Sequence, residues 1–239
     1  MKNRILKEIR YFEDKPDNYQ GEFDGMIGSI YQGTTDMKFI GQRIARKLNE
    51  FEFISGEFDH IYLQLTADLK IGDFFESDEF LDNRIKIYNC GVNPVDFNKS
   101  TDAEKDLLII HFTFSVLKLI YKDEFDKILA IEEVKRLIEI DRKELTINYK
   151  SKETNKFRID LNYQIRPVND KSLLIIDFYN KENDTKVNKI LEILDYEDLY
   201  SLIDNFKLET GFLKFIPKKS WRAEIVNKKY FNSLNGIKI

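Results

Sequence analysis

The sequence predicts an α+β fold on three observations. A capped apolar stretch from Thr101 to Lys122 has helical length, and a second amphipathic stretch follows it directly. Beyond residue 142 the apolar period drops from about 3.6 to about 2 and stays there. Helices and strands are therefore largely segregated along the chain.

Taken in order, Ile5 to Phe12 reads as a short helix or strand. Gly21, Gly25, Gly28 and Gly33 then punctuate GEFDGMIGSIYQG. That stretch holds neither phosphate-binding spacing, G-x-G-x-x-G or G-x-x-x-x-G-K-[ST], so it reads as a plain loop. From Asp36, the expected N-cap, Met37, Ile40, Ile44, Leu48 and Phe51 recur at helical spacing. Gly41 weakens that helix on propensity. His60 to Thr66 and Arg84 to Tyr88 look like strands.

Thr101 and Glu104 have the spacing of a capping box, in which hydroxyl and carboxylate satisfy each other's backbone amide. Ile110 to Val116 alternates as a strand would, but the cap and the length of the segment favour a helix over about 101–122. Its apolar run is too short and interrupted to cross a bilayer, which needs about 20 residues. A second helix is expected over about 124–142. Phe125, Ile128, Leu129, Ile131, Val134 and Ile138 form its buried side, and Glu132 with Arg136 a supporting pair.

Strands then follow at Leu145 to Tyr149, Phe157 to Ile165, Ser172 to Tyr179 and Lys186 to Leu194. The breaks SKETN, PVND and KEND are too short for parallel crossovers, so these strands form an antiparallel β-meander. Asp195 caps a short helix from Tyr196 to Phe206. The remainder, with Pro217 and Trp221, is expected to be strand-like or irregular. A soft boundary near residue 100 separates a mixed region, 1–99, from a helical pair plus sheet, 100–239; the two can equally form one continuous domain.

Hydrophobic residues at 42%, charged residues at 33% and aromatics at 13% exclude a disordered chain. Cys90 is the single cysteine, which excludes an intramolecular disulfide and a cysteine zinc cluster. The opening MKNRILKEIRYFEDK has no apolar core of a secretory signal, so a reducing, cytoplasmic setting is expected. The 30 isoleucines, 28 lysines and 18 asparagines, all with AT-rich codons, point to an AT-rich bacterial genome.

No catalytic constellation emerges. Cys90, within NCGVNP, has only His60 and His111 as bases to draw on, and its turn-rich context reads as a strand end with a small buried thiol. His111 and Ser115 lie one helical turn apart, but no oxyanion element or nucleophile elbow accompanies them. Glu133-Val-Lys135 and Asp184-Thr-Lys186 match fragments of metal-nuclease sites, at a frequency that 42 acids and 28 lysines produce by chance. Neither a cofactor nor a metal site is expected.

Charge is the stronger signal. The net charge of −4 divides unequally. From Lys207 onward eight basic residues face Glu209 and Glu224, leaving 30 basic against 40 acidic residues before it. DFFESDEFLD, from Asp73 to Asp82, carries five acids and no base, interleaved with Phe74, Phe75, Phe80 and Leu81. Its plain reading is a solvated turn whose aromatics anchor it to the core. Its functional reading makes Asp73, Glu76, Asp78, Glu79 and Asp82 a docking surface for a basic protein partner. In KFIPKKSWRAEIVNKKYF, Lys214, Lys218, Lys219, Arg222, Lys228 and Lys229 alternate with Phe215, Trp221, Tyr230 and Phe231. Cations neutralise phosphates and rings stack on bases, so this segment is the alternative, a nucleic-acid contact. Arg158, Asp160, Asn162, Gln164 and Arg166 line one strand face, which is either a ligand reader or the wet side of a sheet. The leading expectation is a non-enzymatic bacterial interaction protein, an accessory subunit or immunity-like neutralising protein. The alternative is a nucleic-acid-associated component or nuclease subunit.

Overall fold

The computed structural model describes residues 3–15, 20, 25–234 and 236–239, and gives backbone only at 168 and 231–234. Residues 21–24 of the expected glycine loop, and the Phe231 side chain of the basic segment, lie outside the described set. The α+β class is correct. The chain forms two compact units, Met1–Ile147 and Asn148–Ile239. The helical pair falls within the first unit, where both of its helices pack against the helix over 37–49.

The first unit contains β1 (Arg4–Ile5), β2 (Glu8–Glu13), α1 (Met37–Asn49), β3 (Ile54–Gly56), β4 (His60–Thr66), β5 (Phe74–Glu76) and β6 (Ile85–Gly91). It continues with α2 (Pro94–Lys99), α3 (Asp102–Ile120) and α4 (Phe125–Asp141). β1 pairs with β3. β2, β4 and β6 run parallel in that spatial order, and β5 is an antiparallel outer edge on β6.

Helix α1 packs on β2, and Gly41 explains how closely. A Cβ there would land on the Ile9 carbonyl, with the carbonyl carbon at 2.9 Å. The glycine that weakens the helix by propensity is the point of backbone contact with the sheet. Asp36 does not cap α1: its carboxylate pairs with the buried Arg43 guanidinium. The Thr34 hydroxyl instead accepts from the Met37 amide at 3.0 Å.

The capping box of α3 forms as expected, with the Thr101 amide donating to Glu104 at 2.7 Å and the Glu104 amide to Thr101 at 3.3 Å. Ile109, Phe112, Phe114, Val116 and Leu117 are buried, and the Thr113 hydroxyl meets that of Tyr11 on β2 at 3.0 Å. On α4 the expected Glu132–Arg136 pair is replaced. Arg136 binds Glu133 at 2.6 Å, while Glu132 reaches Lys118 of α3 at 2.5 Å.

The second unit holds β7 (Thr146–Glu153), β8 (Phe157–Gln164), β9 (Ser172–Asn180) and β10 (Thr185–Ile193), an antiparallel meander in sequence order. The Asp195 carboxylate accepts from the Glu197 amide at 2.9 Å. The helix it opens is only one 3-10 turn and α5 (Leu199–Leu202), because the chain re-enters a sheet as β11 (Asn205–Glu209). A tight turn at Thr210 and Gly211, φ 49° and 78°, leads into β12 (Phe212–Ile216). Positive φ at both central residues suits the twist of a hairpin.

The C-terminal remainder is strand-like in β12 and at its end, as expected, but it also holds an unexpected helix. This helix is α6 (Trp221–Leu234), followed by β13 (Ile237–Lys238) on β12. Ala223, Val226 and Tyr230 supply the helix's buried stripe at three- and four-residue steps. The lysines between them hide that stripe in the sequence. Among the described residues no helix is long and apolar enough to cross a membrane.

Candidate interaction surface

The acidic-aromatic segment forms the outer margin of the first unit's sheet. β5 pairs Phe74 with Cys90, Phe75 with Asn89 and Glu76 with Tyr88. Glu76 is the tethered acid, binding Lys86 at 2.5 Å and accepting from the Tyr88 hydroxyl at 3.1 Å. Asp82 accepts from the Arg84 amide at 2.7 Å. The carboxylates of Asp73, Asp78 and Glu79 are exposed and have no partner among the described residues.

The aromatics do not anchor this segment to the core, contrary to its plain reading. Phe80 is 78% exposed, Leu81 62% and Phe75 57%, and only Phe74 is half-buried. Ile71, just before, is 66% exposed.

Among the described residues, the helices on the sheet behind this margin lie on one face. Ile9 and Tyr11 of β2, Ile61, Leu63 and Leu65 of β4, and Tyr88 and Cys90 of β6 are buried on the face that carries α1 and α3. Residues paired across strands point the same way, so three rows form the opposite face. They are Glu8, His60 and Ile85; Arg10, Tyr62 and Ile87; and Phe12, Gln64, Asn89 and Phe75. Most of these are half-exposed or exposed, Ile87 being buried. Phe12 and Tyr62 rings lie 4.8 Å apart, and the Arg10 guanidinium sits 6.0 Å from the Tyr62 centroid.

Two ionic features of this unit escaped the sequence reading. Asp59, buried just before β4, binds Arg84 at 2.7 Å, Lys7 at 2.9 Å and His60 Nδ1 at 2.7 Å, with Arg4 at 3.6 Å. Burial alone would raise its carboxyl, but the hydrogen bonds from Arg84, Lys7 and His60 hold it well below the usual carboxylate range. Glu13, buried at the end of β2, accepts the backbone amides of Ser29 at 2.8 Å, Tyr31 at 2.9 Å, Ile30 at 3.0 Å and Gly28 at 3.3 Å. Replacing Glu13 with Gln should cost about 2 kcal/mol of stability, since an amide can accept only some of these bonds. A urea midpoint that does not move would refute this role.

Glu13 carried a signal in the sequence. It lies in phase with Ile9 and Tyr11, where a charge must be satisfied internally. Asp59 carried none beyond the adjacent His60, because Arg4, Lys7 and Arg84 are distant in sequence.

Of the other candidates, Cys90 is wholly buried and burial pushes its thiol up to about 12, which makes it a poor nucleophile. His111 is exposed and Ser115 half-buried on α3. Glu133 serves Arg136, Lys135 approaches Glu139 at 3.7 Å, and Asp184 lies in a turn at φ 55°. Among the described residues, no three His, Cys, Asp or Glu side chains are grouped to hold a metal ion.

The polar strand face of the second unit is knitted internally. Asp177 accepts from Asn188 at 2.7 Å and Asn162 at 3.0 Å, and Arg158 holds Asp160 at 2.7 Å. Arg166 donates to Gln164 at 2.6 Å. A shallow cavity of about 340 Å³ lies over Asp160, Asp177, Tyr179 and Lys186.

The basic C-terminal segment is partly neutralised within its own unit. Lys207 and Lys214 bind Glu209 and hold its carboxyl down to about 2. Arg222 binds Glu197 at 3.0 Å, and Lys229 lies 3.8 Å from Asp198. Lys218, Lys219 and Lys228 have no anionic partner among the described residues, and Trp221 beside them is 77% exposed. No known protein family, curated protein or solved structure matches this chain.

Proposed function

We propose that this is a non-enzymatic bacterial interaction protein of the cytoplasm, an accessory subunit or immunity-like neutralising protein, that docks a basic protein partner through Asp73 to Asp82. The exposure of Phe75, Phe80 and Leu81 among unpaired carboxylates carries this reading. Apolar side chains supply the desolvated centre of an interface, and the acids around them set orientation and encounter rate. The partial internal neutralisation of the basic segment argues against a nucleic-acid role as the main one.

The test is charge reversal at exposed positions. Replacing Asp78, Glu79 and Asp82 with Lys should abolish partner binding and leave the fold, read by circular dichroism, intact. Retained binding by a folded variant removes the acidic surface from the account. The nucleic-acid alternative is carried by exposed Trp221 beside Lys218 and Lys219. It requires binding that weakens steeply with salt and is lost on neutralising Lys218, Lys219 and Arg222.

A further inference from the structure

Among the described residues, the helices on the parallel sheet, α1 and α3, lie on one face, and the other face is crossed only at its end, where Leu69 and Lys70 pack over Gly91. Parallel sheets are normally covered by helices on both faces, and their strands then read as continuous apolar runs. Here β2 and β4 alternate buried and half-exposed residues, because α1 and α3 pack on one side only. The other side presents Phe12, Tyr62 and Phe75 in adjoining rows, with Arg10, Gln64 and Asn89 between them.

The geometry points to this face as the seat of a cationic amphipathic helix from the partner, which supplies the missing second layer. The inference rests on the interaction reading above and specifies what docks. Two observations favour a helix of positive charge. Strand addition is disfavoured, because β5, the edge beside the exposed aromatics, is only three residues long and is followed by acids, a combination that blunts edges. The acids beside this face, Asp73, Asp78 and Glu79, have no partner among the described residues and outnumber the exposed Lys70 at the same margin, whereas Arg10 is held by Glu8 at 2.8 Å. A helix with apolar residues on Phe12, Tyr62 and Phe75 and lysines or arginines toward β5 satisfies both sets.

The experiment uses the full-length protein and three labelled probes: an amphipathic helical peptide of leucine and lysine, its leucine–glutamate counterpart, and an oligolysine of equal charge. The leucine–lysine peptide should bind at least about tenfold tighter than either control. It should shift the backbone amide resonances of Arg10, Phe12, Tyr62, Gln64 and Phe75. Phe75→Ser, at an exposed edge position, should weaken it about tenfold, and Tyr62→Lys more. Equal binding by oligolysine, with both face variants unaffected, overturns the helix assignment and leaves the acidic-surface reading intact. Equal binding by the leucine–glutamate peptide overturns the cationic assignment. No binding by the leucine–lysine peptide overturns the inference, while the charge-reversal test judges the function separately.

Discussion

Gly41→Ala should destabilise the first unit by about 3 kcal/mol, the upper range for overpacking a tight contact. On helix propensity alone the same change stabilises by about 1 kcal/mol, so even the sign separates the two accounts. The cause is the close approach of α1 to β2, where a methyl group would meet the Ile9 carbonyl carbon at 2.9 Å and the oxygen closer still. The obstacle is backbone, which no rotamer change relieves. Relief requires moving α1 outward and opening the layer formed by Ile40, Ile44 and Leu48. Urea unfolding of wild type and variant decides the matter, and a variant as stable as wild type would show that α1 does not pack this closely.

The second large effect is expected at Asp59. Its carboxylate is 1% exposed and binds Arg84, Lys7 and His60, with Arg4 close by. Asp59→Asn leaves Arg84, Lys7 and Arg4 facing a neutral group. Removing one partner of a fully buried ion pair costs about 3–5 kcal/mol, and the partial exposure of Lys7 and Arg84 reduces the expected loss to about 2 kcal/mol. The pH dependence follows from the lowered carboxyl. The unfolded-state aspartate titrates at about 3.9, so the stabilisation is fully present above that pH. It is lost as pH falls below it toward the lower folded value. Wild type should therefore lose stability on acidification more steeply than Asp59→Asn, and parallel acid profiles would contradict the assignment.

The parts of the fold legible in the sequence were those specified locally. Thr101 and Glu104 name their helix start by a spacing of three residues, and the breaks SKETN, PVND and KEND enforce antiparallel pairing by their length. Non-local features were hidden. β4 and β6 are parallel neighbours joined through β5 rather than a helix, so the strand–helix–strand rhythm of a parallel sheet is absent at that step. The helix at Trp221 was masked by the lysines around Ala223, Val226 and Tyr230.

The candidate surface was legible in composition and not in exposure. Phenylalanines among acids read the same whether they turn inward or outward, and only the fold sets Phe75 on the face opposite α1 and α3. That orientation depends on pairing with Asn89 of β6, a register no local pattern in Asp73 to Asp82 specifies.

The most direct test of the central claim is native mass spectrometry of the wild-type protein and its Asp78→Lys/Glu79→Lys/Asp82→Lys variant. Both are purified gently from the protein's own cells, with the 260 to 280 nm absorbance ratio recorded. The account predicts a stoichiometric protein adduct on wild type, no nucleic-acid absorbance, and no adduct on the folded variant. An adduct equally abundant on the variant would contradict it, as would a nucleic-acid signal that disappears in high salt.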